Sequence, residues 1–146
     1  MRGFKIAAQY QNSTIELPKR GTQHSAGYDF AICKDITIKP NQIVLAETGI
    51  KAYMQNDEVL QIYPRSSLPR KYHLTIPNNV GIIDADYYEN PSNDGAIYIQ
   101  LLNFGTETIT LKRGTRIAQG IFTKYLCATD EPTTHTKRNG GFGSTG

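Results

Sequence analysis

The chain has no tryptophan, and only two cysteines among its 146 residues. Cys33 and Cys127 lie far apart, with neither the paired spacing of a metal site nor the density of a disulfide-stapled scaffold. A reduced, cytoplasmic protein is therefore expected. Long apolar runs are missing too. Nothing approaches the roughly 18 residues that a membrane helix needs, so no membrane association is expected. Met1-Arg2-Gly3-Phe4-Lys5 has no long apolar region behind it, so no secretory signal is expected either. An excess of one charge is also lacking. Sixteen Lys and Arg against thirteen Asp and Glu leave a net charge of +3. That is too weak a balance for direct nucleic-acid binding, although it favours the approach of a polyphosphate anion. Helical periodicity is nearly absent, and there is no internal repeat. His24, His73 and His135 are scattered, without a Cys partner or a Ser nucleophile at a recognisable spacing.

What the chain does have is short strands and frequent turns. Strand-like stretches run over Phe4–Tyr10, Ala26–Ile32, Ile36–Ile38, Gln42–Ala46, Gly49–Met54, Val59–Tyr63, Ile97–Phe104, Thr108–Leu111 and Arg116–Tyr125. Leu17 to Thr22 reads as a loop. Turn signals every 8–12 residues or so predict an all-β barrel or sandwich. One domain is the simplest count at this length, and a chain of this size buries about 68–70% of its unfolded surface. The one helical candidate is about a turn near Ser66–Leu68, stopped by Pro69. From Ala128 onward Thr, Asp, Pro, His, Lys, Arg, Asn and Gly dominate. The division predicted is a barrel over 1–127 and a mobile arm over 128–146.

The densest stretch is IPNNVGIIDADYY, Ile76 to Tyr88. Asn-Asn after a proline suits a tight turn, so Leu74-Thr75-Ile76 and Val80–Ile83 read as two arms of a hairpin. Free backbone groups near such a turn can pair with the edge of a base. Asp84 and Tyr87 follow within a few residues, although a DxDY by itself is more often a strand end with a core ring. Ser25-Ala26-Gly27-Tyr28-Asp29-Phe30 sets Asp29 early in a strand, as an outward polar residue or as a carboxylate that orients water around a metal ion. Arg65, Ser66 and Ser67 precede the helical turn, where unpaired N–H groups suit phosphate oxygens. Ser66 can equally serve as an N-cap. Gln119 lies among apolar residues in RIAQGIF and needs a hydrogen-bond partner, structural or ligand. In the tail, Gly140-Gly141-Phe142-Gly143-Ser144-Thr145-Gly146 offers backbone amides and hydroxyls to phosphates. Phe142 can stack on a base, or the whole segment can be a flexible terminus.

In this order, AGYDF (26–30), PRSSL (64–68), NNVGIIDADYY (78–88), RIAQGIF (116–122) and GGFGSTG (140–146) resemble the five motifs of the trimeric dUTP pyrophosphatase (dUTPase) family. The resemblance implies a β-clip or distorted jelly-roll barrel. It implies a homotrimer whose C-terminal arms close over active sites shared between chains, with dUTP as substrate and Mg²⁺ as cofactor. By position, Asp84 resembles the general base. Asn78 and the backbone around Gly81 resemble the uracil reader, and Tyr87 the ring against deoxyribose. Asp29 resembles the carboxylate holding the metal's water shell. Arg65, Ser66, Ser67 and Gln119 resemble phosphate-side contacts, Phe142 the lid over uracil, and Gly143, Ser144 and Thr145 the terminal-phosphate contacts. The chemistry agrees: an Asp is ionised at neutral pH, phosphoryl transfer depends mainly on positioning and charge neutralisation, and no covalent nucleophile is set up, which leaves water as the attacker.

The chain departs from the family pattern twice. A longer polar loop, Tyr88 to Gly95, follows the DY, and Lys137 stands where the family has Arg, with Arg138 next to it. Arg138 is the better candidate for the γ-phosphate because its fork is bidentate. Competing readings are a related dCTP deaminase, or a bifunctional enzyme, and a regulatory binding protein on the same fold. The 88–95 loop is the place to look for a regulatory protein partner.

Overall fold

The computed structural model describes residues 1–143, and Ser144, Thr145 and Gly146 lie outside the described residues. Twelve strands are present among them: β1 (Gly3–Ile6), β2 (Lys19–Arg20), β3 (Tyr28–Ala31), β4 (Ile36–Ile38), β5 (Ile43–Glu47), β6 (Ile50–Tyr53), β7 (Glu58–Pro64), β8 (Leu74–Thr75), β9 (Gly81–Asp84), β10 (Tyr98–Asn103), β11 (Ile109–Leu111) and β12 (Arg116–Lys124). A five-stranded sheet runs β2-β3-β12-β7-β9, and a three-stranded sheet runs β5-β10-β8. The pairs β1–β6 and β4–β11 complete the barrel. Most neighbours are distant in sequence, so the fold is held by long-range antiparallel ladders, as in a jelly roll.

Alternation along each strand decides which side chains enter the barrel. In β10, Ile99, Leu101 and Asn103 are buried, while Tyr98, Gln100 and Leu102 face the other way. Phe30, Ile32, Ile38, Leu60, Ile62, Leu74, Ile97, Leu111 and Ile117 meet them in one core fed by all four sheets. Asn103 is fully buried but satisfied. Its Nδ2 donates to the carbonyls of Ile38 (2.9 Å) and Glu107 (2.7 Å), and its Oδ1 accepts from Gly105 N–H (2.9 Å). Cys33, just past the end of β3, is a small buried core residue.

Four local expectations need correction. The first strand ends at Ile6, and Ala8–Tyr10 forms a 3₁₀ turn instead. The segment expected to be a plain loop contains β2, which pairs with β3 through Lys19↔Asp29 and Arg20↔Tyr28. Pro69 does not stop the helix: α1 (Ser67–Tyr72) runs through it. Pro69 sits in the first turn, where its missing N–H would have had no helical partner anyway. The helix ends at His73 in the left-handed region (φ 52°).

The last correction concerns the expected hairpin. β8 pairs with β10 and β9 pairs with β7, so the two arms belong to different sheets. Pro77-Asn78-Asn79 does form a tight turn, closed by Asn79 N–H on the Ile76 carbonyl at 3.0 Å, with Asn79 at φ 68°. The chain then diverges because buried Leu74 and Ile83 each follow a separate sheet into the core.

Candidate active site

That divergence opens a cavity of about 430 Å³ between the edges of two sheets. Asn78, Gly81, Ile82 and Asp84 form one side, Tyr98, Ile99 and Gln100 the other, with Ile62 and Tyr87 between. β9 is the last strand of its sheet and pairs on one side only, so the backbone of Gly81–Asp84 presents unpaired groups at its free edge. The cavity needs no closed hairpin for this, because an edge strand exposes the same groups.

Asp84 is the final residue of β9 and begins a 3₁₀ turn over Ala85–Tyr87. The turn reverses the chain so that an exposed carboxylate and a buried ring, 4% exposed, lie in the same cavity. Burial raises the Tyr87 phenol above its ordinary value, opposed by a hydrogen bond from Asn93, so it remains a neutral hydroxyl. It donates to the Ala96 carbonyl at 2.6 Å.

The tail returns to the same place. Gly141, Phe142 and Gly143 line the cavity with Arg138. Phe142 stands edge-to-face to Tyr87 (centroids 6.3 Å, 81°) and to Tyr98 (5.6 Å, 80°). Gly141 passes so close to Tyr87 that a Cβ there would meet the ring at 2.5 Å. Arg138 is held by the carboxylates: Nη2 donates to Asp84 at 2.6 Å and Nε to Asp86 at 2.7 Å. Bonding to Asp86, opposed by partial burial, raises the guanidinium above its already high ordinary value, so it is a permanent cation.

A second group of the expected residues lies elsewhere. On β3, β7 and β12, register places Gln119 opposite both Asp29 and Tyr63. Gln119 is half-buried rather than enclosed, and it packs over Gly27, where any Cβ would strike its Oε1 at 2.5 Å. Asp29 forms ion pairs with Arg65 (3.4 Å) and Arg116 (3.2 Å). Ser66 flanks α1 without making a side-chain cap, so the N-cap reading fails and its exposed hydroxyl is unused there. Half-buried Ser67 opens the helix. None of Asp29, Arg65, Ser66, Ser67 or Gln119 lines the cavity that holds Asp84 and Tyr87. Ser144 and Thr145 fall outside the described residues.

Sequence reasoning missed Asp86 as a partner of Arg138, Arg116 as a partner of Asp29, and Tyr98 as a wall of the cavity. Arg116 was within reach, since it opens the same motif as Gln119. Tyr98 was not, because nothing local distinguishes it from any first residue of a strand.

A dUTPase family model matches residues 13–146. The deoxyuridine 5'-triphosphate nucleotidohydrolase of Lactococcus lactis subsp. lactis is 48% identical over 147 residues, spanning 100% of this chain and 98% of its own length. The Rickettsia felis enzyme of the same name is 41% identical over 142 residues, 93% of this chain and 92% of its own. Among solved structures, the dUTPase from Streptococcus mutans superposes with a TM-score of 0.82 at 45% identity, covering 86% of this chain and 98% of that one. The Staphylococcus bacteriophage 80alpha dUTPase has a TM-score of 0.74 at 18% identity, over 94% of this chain and 99% of that one, a likeness of fold.

Proposed function

Because this chain belongs to the dUTPase family, we propose that it hydrolyses dUTP to dUMP and pyrophosphate with Asp84 as general base. The observation that carries the reading is the single cavity joining a free strand edge, a carboxylate and a buried tyrosine under an aromatic lid. Uracil pairs with the β9 edge and Asn78 as another strand would, and Phe142 covers its face. Tyr87 lies against the deoxyribose and leaves no room for a 2′-hydroxyl. Water attacks the α-phosphorus, the new P–O bond forms as the bridging bond to the β-phosphate breaks, and the water's proton goes to Asp84. Arg138 gives up Asp84 for the phosphates, which frees the carboxylate to take that proton. The arm over 128–146 closes with Ser144 and Thr145 on the terminal phosphate.

The phosphate side comes from another protomer. Arg65, Ser66, Ser67 and Gln119 do not reach the cavity of their own chain, so a complete site calls for neighbours. The outer face of β5 and β10 supports such an assembly: Ile43 and Leu45 are about half exposed and lie opposite Leu102 and Gln100. A homotrimer with shared sites accounts for both features.

Among the described residues, no three His, Cys, Asp or Glu gather as a metal cluster. Asp29 itself offers the hard carboxylate oxygens that suit Mg²⁺, although its present partners are Arg65 and Arg116, and Mg²⁺ keeps several waters and is commonly held by substrate phosphates. Asp29 would help hold the ion through its water shell, in exchange for its ion pairs with Arg65 and Arg116. When bound, the ion neutralises phosphate charge.

Chromatography of the products from dUTP, dCTP, dTTP and UTP with Mg²⁺ tests the reading. The expected result is dUMP and pyrophosphate from dUTP alone. Ammonia from dCTP would point to the deaminase instead, and comparable turnover of UTP would remove the role of Tyr87.

A further inference from the structure

Tyr87 is buried, and both of its polar ends are held by the loop that follows it. Asn90 Nδ2 donates to the Tyr87 carbonyl at 2.8 Å, and Asn93 Nδ2 donates to the phenolic oxygen at 2.8 Å. The two asparagines also hold each other. Asn93 Oδ1 accepts from Asn90 Nδ2 (2.8 Å) and from Gly95 N–H (3.1 Å). Asn90 Oδ1 accepts from the Ser92 hydroxyl (2.9 Å) and from the backbone N–H groups of Ser92 and Asn93 (3.1 and 3.3 Å).

The loop is in turn fastened to the barrel. Lys51, only 7% exposed, reaches Glu89 at 2.9 Å and Asp94 at 2.8 Å. Asp94 also accepts the Ala8 N–H at 2.8 Å. Gly95, at φ 82°, closes the loop where a Cβ would lie 2.9 Å from the Tyr87 carbonyl. A surface elaboration has no need of a desolvated lysine between two carboxylates, since burying that charge is costly unless it is paired. What this network fixes is Tyr87.

We propose that the 88–95 loop is a positioning element for Tyr87, and that Asn93 is the residue through which it sets the preference for 2′-deoxynucleotides. This rests on the reading of Tyr87 as the ring against the sugar. Exclusion of one hydroxyl depends on where the ring edge stands, and small displacements in a site change rates disproportionately. With its hydroxyl bonded at fixed distance to Asn93 and to Ala96, the ring cannot swing aside to admit a 2′-hydroxyl.

The test compares kcat/KM for dUTP and UTP in the full-length wild type and in Asn93→Ala, Tyr87→Phe, the double variant and Tyr87→Leu. Losing one positioning hydrogen bond should narrow the dUTP/UTP ratio about five-fold or more in Asn93→Ala, mainly through faster turnover of UTP. Tyr87→Phe should narrow it at least as far, because it removes the bond to Ala96 as well, and the double variant should go no further than Tyr87→Phe, because the bond to Asn93 is then already gone. An unchanged ratio in a folded Asn93→Ala would overturn the proposal and leave the loop a purely stabilising role. If Asn93→Ala does not fold, Tyr87→Phe decides alone: it keeps the ring and the asparagine network, and an unchanged ratio there overturns the proposal. Tyr87→Leu separates the two levels. If it loses discrimination while Asn93→Ala and Tyr87→Phe keep it, only the positioning role fails. If it keeps discrimination, the reading of Tyr87 fails as well.

Discussion

At the scale of single residues, Asp84 and Glu58 are two carboxylates with different duties. Asp84 is exposed, at the end of an edge strand, and paired with Arg138. Asp84→Asn should keep dUTP binding, because the amide preserves shape, while kcat falls by ~10²-fold or more with the loss of the proposed general base. Steady-state rates and nucleotide titration check both halves. Glu58 is buried at the start of β7 and takes the Arg2 fork through Nε at 3.0 Å to each oxygen, with Nη2 on Oε1 as well. Those bonds hold its carboxyl down at about 2. A group depressed on folding stabilises the protein above its unfolded value, near 4.3, and the contribution fades as pH falls toward 2. Thermal melts across that window should therefore show stability rising with pH. In Glu58→Gln that rise should be flatter, and the melting temperature at neutral pH lower.

At the scale of elements, strands with strict alternation were readable, as in β10, where the buried and exposed residues follow the period of two. The candidate carboxylate and ring were readable too, because Asp84 and Tyr87 sit three residues apart on one strand-to-turn junction. Strand partners were not. Leu74-Thr75 and Gly81–Asp84 flank a genuine tight turn, and a hairpin is the local solution. Long-range ladders to β10 and β7 bury Leu74 and Ile83 more completely, and no local signal reports that competition. Pro69 failed as a stop signal for a positional reason: a proline in a first turn loses nothing. The tail belongs to this scale as well. A chain ending at Thr136 loses Arg138 and Phe142 but no residue of the barrel core. It should fold and assemble normally and hydrolyse dUTP far more slowly than the full chain. Full kcat/KM in that truncation would make the arm a mere terminus.

At the scale of the whole molecule, the shared sites proposed above predict a trimer at micromolar concentration, checked by light scattering. A sharper expectation follows from shared sites. Asp84→Asn and Arg65→Ala homotrimers should each be nearly inactive. Co-refolded as an equal mixture, they should regain about a quarter of wild-type activity, since half of the base sides and half of the phosphate sides are intact and pair at random. A mixture as inactive as its components would place both residues in a site within one chain.

The free edge of β9 carries a second consequence, for solubility. An exposed Ile82, 54% accessible, stands on a strand with one unpaired side, and such an edge is a template for pairing with foreign strands. The arm lines the same cavity as that edge, and a nucleotide bound as proposed would cover it further. The chain ending at Thr136 should therefore become turbid sooner than the full chain on mild heating, and a non-hydrolysable dUTP analogue should delay the onset in both, because whatever pairs with the edge of β9 as a ligand denies it to a neighbouring molecule.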